Sequence, residues 1–111
     1  MLRITEEQHG KTRILRLIGS LDVQTWLFLK QEIDSLLEKL HFHLLLDLTQ
    51  VDIVVEEALH FLFSATEKFK KAKGRLGIIG MRDNVLKAMQ REGLDQRLLL
   101  YASEKEAMMG I

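Results

Sequence analysis

Two adjacent glutamates, Glu56 and Glu57, interrupt the apolar run from Val51 to Leu62 (VDIVVEEALHFL), at a point where buried sequence turns into the start of a helix. Paired carboxylates can carry general acid–base chemistry, but only when both converge on one substrate. Neighbouring helical residues project about 100° apart, so Glu56 and Glu57 do not face each other and a catalytic dyad finds no support. Glu57 and His60 have the Glu-x-x-His spacing of di-iron helical bundles. Those sites need a second such motif and further glutamates on neighbouring helices, in a chain that reads as a bundle, which this one does not. His41 and His43 fall on the same side of a strand start, and no third ligand has a recognisable spacing to them. Gly77-Ile78-Ile79-Gly80 lacks the lysine and the further glycines of a phosphate loop, and its glycines read as strand positions. No Gly-x-Ser-x-Gly elbow and no cysteine is present. The residues therefore point to no metal, no cofactor and no catalytic set. Two acids at a helix start have a simpler use, since each complements the positive end of the helix dipole by about 0.3–1 kcal/mol. That accounts for the glutamates and leaves the apolar stretch Asp52-Ile53-Val54-Val55, read as a loop, without a reason.

The elements that must position these residues follow from periodicity. Leu2–Glu7 and Thr12–Ile18 alternate apolar with polar residues around a turn at His9-Gly10-Lys11, which makes them paired strands, the second ended by Gly19. From Thr25 to Leu40 the spacing lengthens, and Trp26, Leu29, Ile33, Leu36, Leu37 and Leu40 form one helical face with Asp22 or Thr25 as cap. Phe28 lies on the opposite, polar face. His43–Leu48 suits a central strand buried on both sides, with a polar turn after it. A second helix runs from Glu56 to Lys73 with Ala58, Leu62, Ala65, Phe69 and Ala72 inward; Lys68, Lys70, Lys71 and Lys73 read as its solvated end and Gly74 as its stop. Glu56, His60, Phe63 and Glu67 form a stripe roughly opposite that inward face. Leu76–Met81 is another strand. A short helix capped by Asp83 or Asn84 and closed by Gly93 follows, then a strand at Leu98–Tyr101 and a terminal helix opened by the capping box Ser103-Glu104-Lys105-Glu106. The order β-β-α-β-α-β-α-β-α requires parallel crossovers. The chain is thus α/β, one domain over residues 1–111, with a mixed, mostly parallel sheet of about five strands and about four helices packed against it.

Composition sets the outer bounds. Sixteen Lys and Arg balance sixteen Asp and Glu, so no net field draws the chain to nucleic acid or anionic lipid. The first residues, Met1-Leu2-Arg3-Ile4-Thr5-Glu6-Glu7, are charged where a signal peptide is apolar, and no apolar run is long enough to cross a bilayer. A soluble, cytoplasmic domain without membrane insertion is expected.

At this point the chain resembles a known family. Gly19-Ser20-Leu21-Asp22-x-x-Thr25 is similar to the Gly-x-Leu-Asp-x-x-Thr segment of STAS domains, the anti-sigma factor antagonists. Leu46-Asp47-Leu48-Thr49-Gln50-Val51 resembles their central strand with its turn, and Gly74–Gly80 their next strand. Glu92-Gly93-Leu94-Asp95 and Ser103–Ala107 resemble their C-terminal pattern. The likeness covers nearly the whole chain in the same order. In that family an Asp-Ser-Ser-Gly or Asp-Ser-Thr-Gly motif follows the central strand, and its first hydroxyl residue is phosphorylated by a partner kinase that is itself an anti-sigma factor. Those four positions are Val55, Glu56, Glu57 and Ala58 here, so the resemblance puts Glu56 at the phosphoacceptor position. A glutamate cannot accept phosphate there, although it carries about one of the two charges of phosphoserine. The resemblance implies a bacterial, non-enzymatic regulatory domain that binds a protein partner, an anti-sigma factor/serine kinase, and acts by partner switching in transcription. Asp22, Thr25, Phe28, Val55, Glu56, Glu57, His60 and Phe63 are the candidate contacts; a homodimer is compatible with it. The alternative is a STAS module serving a multi-domain signalling scaffold or a transporter-associated cytoplasmic subunit.

Overall fold

The computed structural model describes residues 1–109. A hairpin opens the chain: β1 (Leu2–His9) and β2 (Thr12–Leu21) pair antiparallel from Leu2↔Gly19 to His9↔Thr12 across the two-residue turn Gly10-Lys11. Gly10, at φ +62°, supplies the positive φ that tight hairpin turns require. Then α1 (Trp26–Glu38), β3 (His43–Val54), α2 (Glu56–Lys71), β4 (Arg75–Ile79), α3 (Asp83–Arg91), β5 (Leu99–Tyr101) and α4 (Glu104–Met109) alternate. The five strands lie in sequence order, and β2 to β5 are mutually parallel, as single-helix crossovers demand.

Alternation along the strands divides the sheet into two faces. Leu15, Leu17, Leu44, Leu46, Leu48, Leu76 and Ile78 point to one side and meet Leu29, Ile33 and Leu36 of α1, Ala58, Leu59, Leu62, Ala65 and Phe69 of α2, and Val85 and Met89 of α3. Ile14, Leu45 and Ile79 point to the other side, where α4 contributes Ala107. The central segment His43–Leu48 is covered on both sides, as its unbroken leucines require.

Several boundaries differ from the sequence reading, each for a local reason. Thr49 and Gln50 are not a turn, because β3 continues to Val54 and pairs with a β2 that continues past Gly19 to Leu21. Between Arg16↔Asp47 and Ile18↔Gln50, and again between Gly19↔Val51 and Ser20↔Ile53, β3 uses one residue more than β2. Two bulges break the period-two pattern, bury Val51 and turn Ile53 outward. The apolar stretch before Glu56 is therefore strand, not loop. Leu40, expected on the buried face of α1, is instead 71% exposed, with φ +64°. It is the left-handed residue that closes α1, its N–H donating to the Leu37 carbonyl while that of His41 donates to Leu36. At the end of α2 the left-handed residue is Lys73 (φ +62°), not Gly74. Gly74 is needed for space: a Cβ there would lie 2.0 Å from the Phe42 carbonyl oxygen. Gly80, read as a strand residue, lies just beyond β4 at φ +72°.

Candidate functional site

The end of β3 delivers the two glutamates. Val55 is extended (φ −73°, ψ 159°) and precedes the first helical residue, Glu56. Its N–H donates to the Leu21 carbonyl at 2.8 Å, and its own carbonyl accepts the N–H groups of Ala58 and Leu59 at 3.0 and 3.1 Å. A valine has no side-chain oxygen to offer the free N–H groups of the first turn, and α2 starts without a side-chain cap. Glu56 and Glu57 supply negative charge there instead, and both are exposed. Ala58 and Leu59 turn inward and are fully buried, which fixes the rotation of the helix and leaves Glu56 on the surface.

Across the Leu21–Val55 bond lies the loop from Asp22 to Thr25. The Asp22 carboxylate accepts the N–H groups of Gln24 and Thr25, both at 2.9 Å. These bonds, that from Gln24 above all, hold its pKa below the ordinary aspartate value against a smaller opposing effect of desolvation. The Thr25 hydroxyl accepts the Asp22 N–H at 2.9 Å and donates to the Ser20 carbonyl at 2.6 Å. Asp22 and Thr25 therefore brace the loop, and neither caps α1 through its side chain. Asp83 and Asn84 likewise leave α3 without a side-chain cap: Asn84 donates its amide to the Asp52 carbonyl at 2.6 Å, tying the start of α3 to the end of β3. Ser20 donates to the Asp52 carboxylate at 2.6 Å, which lowers the Asp52 pKa.

The structure separates the remaining candidates. Phe28 is 57% exposed, and Val23, Leu27 and Ile53 are exposed apolar residues that the sequence reading did not single out. Periodicity left Val23 in a loop and Leu27 on a polar helix face, and only the β3 bulges bring Ile53 outward. Phe63 is half-buried against the core, with the Arg97 guanidinium 5.6 Å above its ring. His60 faces not Glu57 but Glu56, 3.5 Å away, and Glu92 from the end of α3, 3.1 Å away. The Glu57 side chain has no hydrogen bond or ion pair among the described residues. His43 keeps its Nδ1 buried without a hydrogen-bond partner, and His41 Nε2 lies 3.2 Å from the Arg13 guanidinium; both line one cleft, but no third ligating side chain joins them among the described residues.

Residues 3–107 match the family model described as the STAS domain. The chain belongs to the STAS domain family. No curated protein matches it. Among solved structures, a Thermotoga maritima protein assigned to the anti-sigma factor antagonists is 19% identical, with 97% of this chain and 93% of that one covered at a TM-score of 0.90. An anti-sigma factor antagonist from Mycobacterium paratuberculosis is 22% identical over 100% of this chain and 94% of that one, with a TM-score of 0.89. The anti-sigma factor antagonist SpoIIAA in its unphosphorylated form is 18% identical over 98% of each chain, with a TM-score of 0.81. The phosphorylated form of the Bacillus protein superposes at 0.73, with 16% identity over 96% of this chain and 97% of that one. This STAS domain thus has the five-stranded sheet, four helices and element order of the SpoIIAA fold. No helix among its described residues is long and apolar enough to cross a membrane.

Proposed function

We propose that this STAS domain is a non-enzymatic regulator of the anti-sigma factor antagonist kind, which binds a protein partner and takes part in partner switching without being phosphorylated at the family's usual position. One observation carries the reading: Glu56, a residue with no hydroxyl, is the exposed first residue of α2 directly after the central strand. In the family that place belongs to the phosphoacceptor, and SpoIIAA exists in both unphosphorylated and phosphorylated forms. A carboxylate there keeps a permanent negative charge where relatives switch theirs. The exposed side chains of Phe28, Val23, Leu27 and Ile53 offer the apolar contact area that partner recognition uses, and aromatic residues contribute most to it. Asp22, Thr25 and Val55 serve recognition indirectly in this reading, by fixing the loop and the helix start, and His60 and Phe63 are further candidate contacts on the side of α2 that faces Glu92 and Arg97.

Capture of partners from the native host, read by mass spectrometry, is expected to recover an anti-sigma factor or its serine kinase. Recovery of a transporter or of a multi-domain STAS assembly in its place would overturn the reading for the adaptor role. With the partner in hand, Glu56→Ala separates a phosphomimic from a repurposed contact surface: if Glu56 mimics the phosphorylated state, the variant binds more tightly, because it lacks the repulsive charge. Weaker binding would make Glu56 a direct contact. Incubation with ATP and a serine kinase of the family is expected to leave residue 56 unmodified. Glu56→Ser alone should regain little phosphorylation, and Asp-Ser-Ser-Gly at positions 55 to 58 more.

A further inference from the structure

We infer that Glu56, His60 and Glu92 form a site for a divalent transition-metal ion of the zinc type at the junction of α2 and α3. Their ligand atoms all lie within 4.8 Å of one another, and no other group of three or more such side chains gathers in this way among the described residues. The sequence hides the set. Glu57 and His60 have the recognisable spacing, yet Glu56 is the residue one helical turn from the imidazole, and Glu92 comes from a different helix.

Two of the three ligand separations are close to those of a tetrahedral site, and the third is bounded at 4.8 Å. Zinc bonds of about 2.0–2.2 Å to imidazole nitrogen and carboxylate oxygen put two ligands of one tetrahedron about 3.3–3.5 Å apart. His60 Nε2 stands 3.5 Å from Glu56 Oε1, within that range, and 3.1 Å from Glu92 Oε1, slightly inside it. His60 Nε2 is within hydrogen-bond distance of Glu92 Oε1, at 3.1 Å, and Glu56 Oε1 approaches the same nitrogen to 3.5 Å from one helical turn away. A single Nε2–H donates well to one acceptor, whereas here two carboxylates converge on the same nitrogen. A cation held by all three neutralises both acids and takes the imidazole lone pair. One imidazole and two carboxylates suit zinc and its first-row neighbours better than calcium or magnesium, which prefer oxygen alone.

The two carboxylates, without His60, also line open space. A cleft of about 230 Å³ opens beside Glu56 and Glu92, between Val54 and Leu59 on one side and Ala88 and Arg91 on the other. Glu92 ends α3, where the negative pole of that helix favours a cation. The positive start of α2 and the Arg91 side chain oppose it, so the site belongs in the range of reversible rather than permanent binding. The remaining coordination positions face solvent, since the Glu56 and His60 side chains are 67% and 55% exposed. Occupancy would cancel the charge of Glu56 at the head of α2. The metal site does not rest on the partner-switching role, because its test needs only protein and metal.

The full chain, stripped with chelator, is titrated with zinc chloride by calorimetry and, separately, with cobalt(II) followed by visible absorption. One equivalent is expected to bind, with cobalt giving the strong absorption of a four-coordinate ion. His60→Ala and Glu92→Gln are each expected to weaken binding at least about tenfold, since even outer-shell changes cost about 10–100-fold at metal sites. His9→Ala and His41→Ala should leave it unchanged. All four residues are at least partly exposed, so unaltered circular dichroism is the control for folding. Absence of saturable one-to-one binding, or binding that survives His60→Ala, would overturn the assignment.

Discussion

Phe28 and Phe63 carry the same ring and differ only in what surrounds it. Phe28 stands on the outer face of α1, more than half exposed, while Phe63 packs against the core under the Arg97 guanidinium. Truncation of an exposed side chain that touches little usually changes stability by no more than about 0.5 kcal/mol. Phe28→Ala is therefore expected to leave the urea midpoint in place. If its ring anchors a partner, the same change should cost about 2 kcal/mol or more of binding, roughly thirtyfold in Kd. Phe63→Ala is expected to lower stability by about 1–3 kcal/mol, less than the 3–5 kcal/mol of a fully buried phenylalanine. Binding lost in proportion to folding would mark Phe63 as core; binding lost in a fully folded Phe63→Ala protein would return it to the contact surface. The sequence placed Phe28 correctly, because a helical period tells an outer face from an inner one. It put Phe63 on the outward stripe, whereas the ring is half-buried, because a residue at the margin of a helical face is covered or not according to what the next element brings, here Arg97 from beyond α3.

At the scale of elements, hydrophobic period together with capping signals identified every strand and helix of the described residues, and period failed where backbone conformation overrides it. Thr49 and Gln50 are polar and exposed, which reads as a turn, yet bulges let an edge of β3 carry them within the ladder. Leu40 continues the apolar spacing of α1 by coincidence, since the helix has already ended and the residue serves as its left-handed closure. The end of α2 gives the sharpest test, because glycine stands one place away from where conformation alone would put it. An L-residue in the left-handed region costs about 1–2 kcal/mol, and glycine returns part of that gain as unfolded-state entropy of about 0.5–1 kcal/mol. Lys73→Gly is thus expected to raise stability by up to about 1 kcal/mol. Gly74→Ala should lower it by about 1–3 kcal/mol, because its Cβ would meet the Phe42 carbonyl and Cβ at 2.0 and 2.6 Å. Chemical denaturation of the two variants measures both, and a stabilised Gly74→Ala protein would refute the close approach. In the central strand, Leu46→Ala should cost about 2–5 kcal/mol by the same measurement.

Over the whole molecule, the two faces of the sheet are held by different means. Helices α1, α2 and α3 seal one face with apolar side chains, whereas among the described residues the other is covered by the short helix α4. On that thinner side Arg16 of β2 gathers carboxylates from three other elements: Glu7 of β1, Asp47 of β3 at 2.8 Å and Glu104 of α4 at 2.8 Å. The cluster links strands and helix where little apolar surface is buried. The hydrogen bond from Arg16, with a smaller one from His9, draws the Glu7 pKa from 4.5 down to about 2. For Asp47, desolvation pushes the pKa up, but the hydroxyl and N–H of Thr49 together with Arg16 outweigh it, and the net shift is downward. Arg16 itself is shifted upward by Glu7 first and by Glu104 after it, so it stays charged throughout. A carboxylate whose pKa is lower in the folded state stabilises that state above its unfolded pKa and loses the contribution as pH falls through the folded value. The cluster should therefore act in full at neutral pH and fade from about pH 4.5 towards pH 2, the window set by Glu7. Arg16→Met removes the cation and leaves three acids facing one another, whose protonation then relieves repulsion. The stability gap between the parent and Arg16→Met is expected to be widest above pH 5 and to close as the solution is acidified, shrinking also at high salt because the groups are partly exposed. Denaturation curves taken across that range measure the gap directly. A gap independent of pH would mean that Arg16 contributes through the packing of its aliphatic stem and not through its charge.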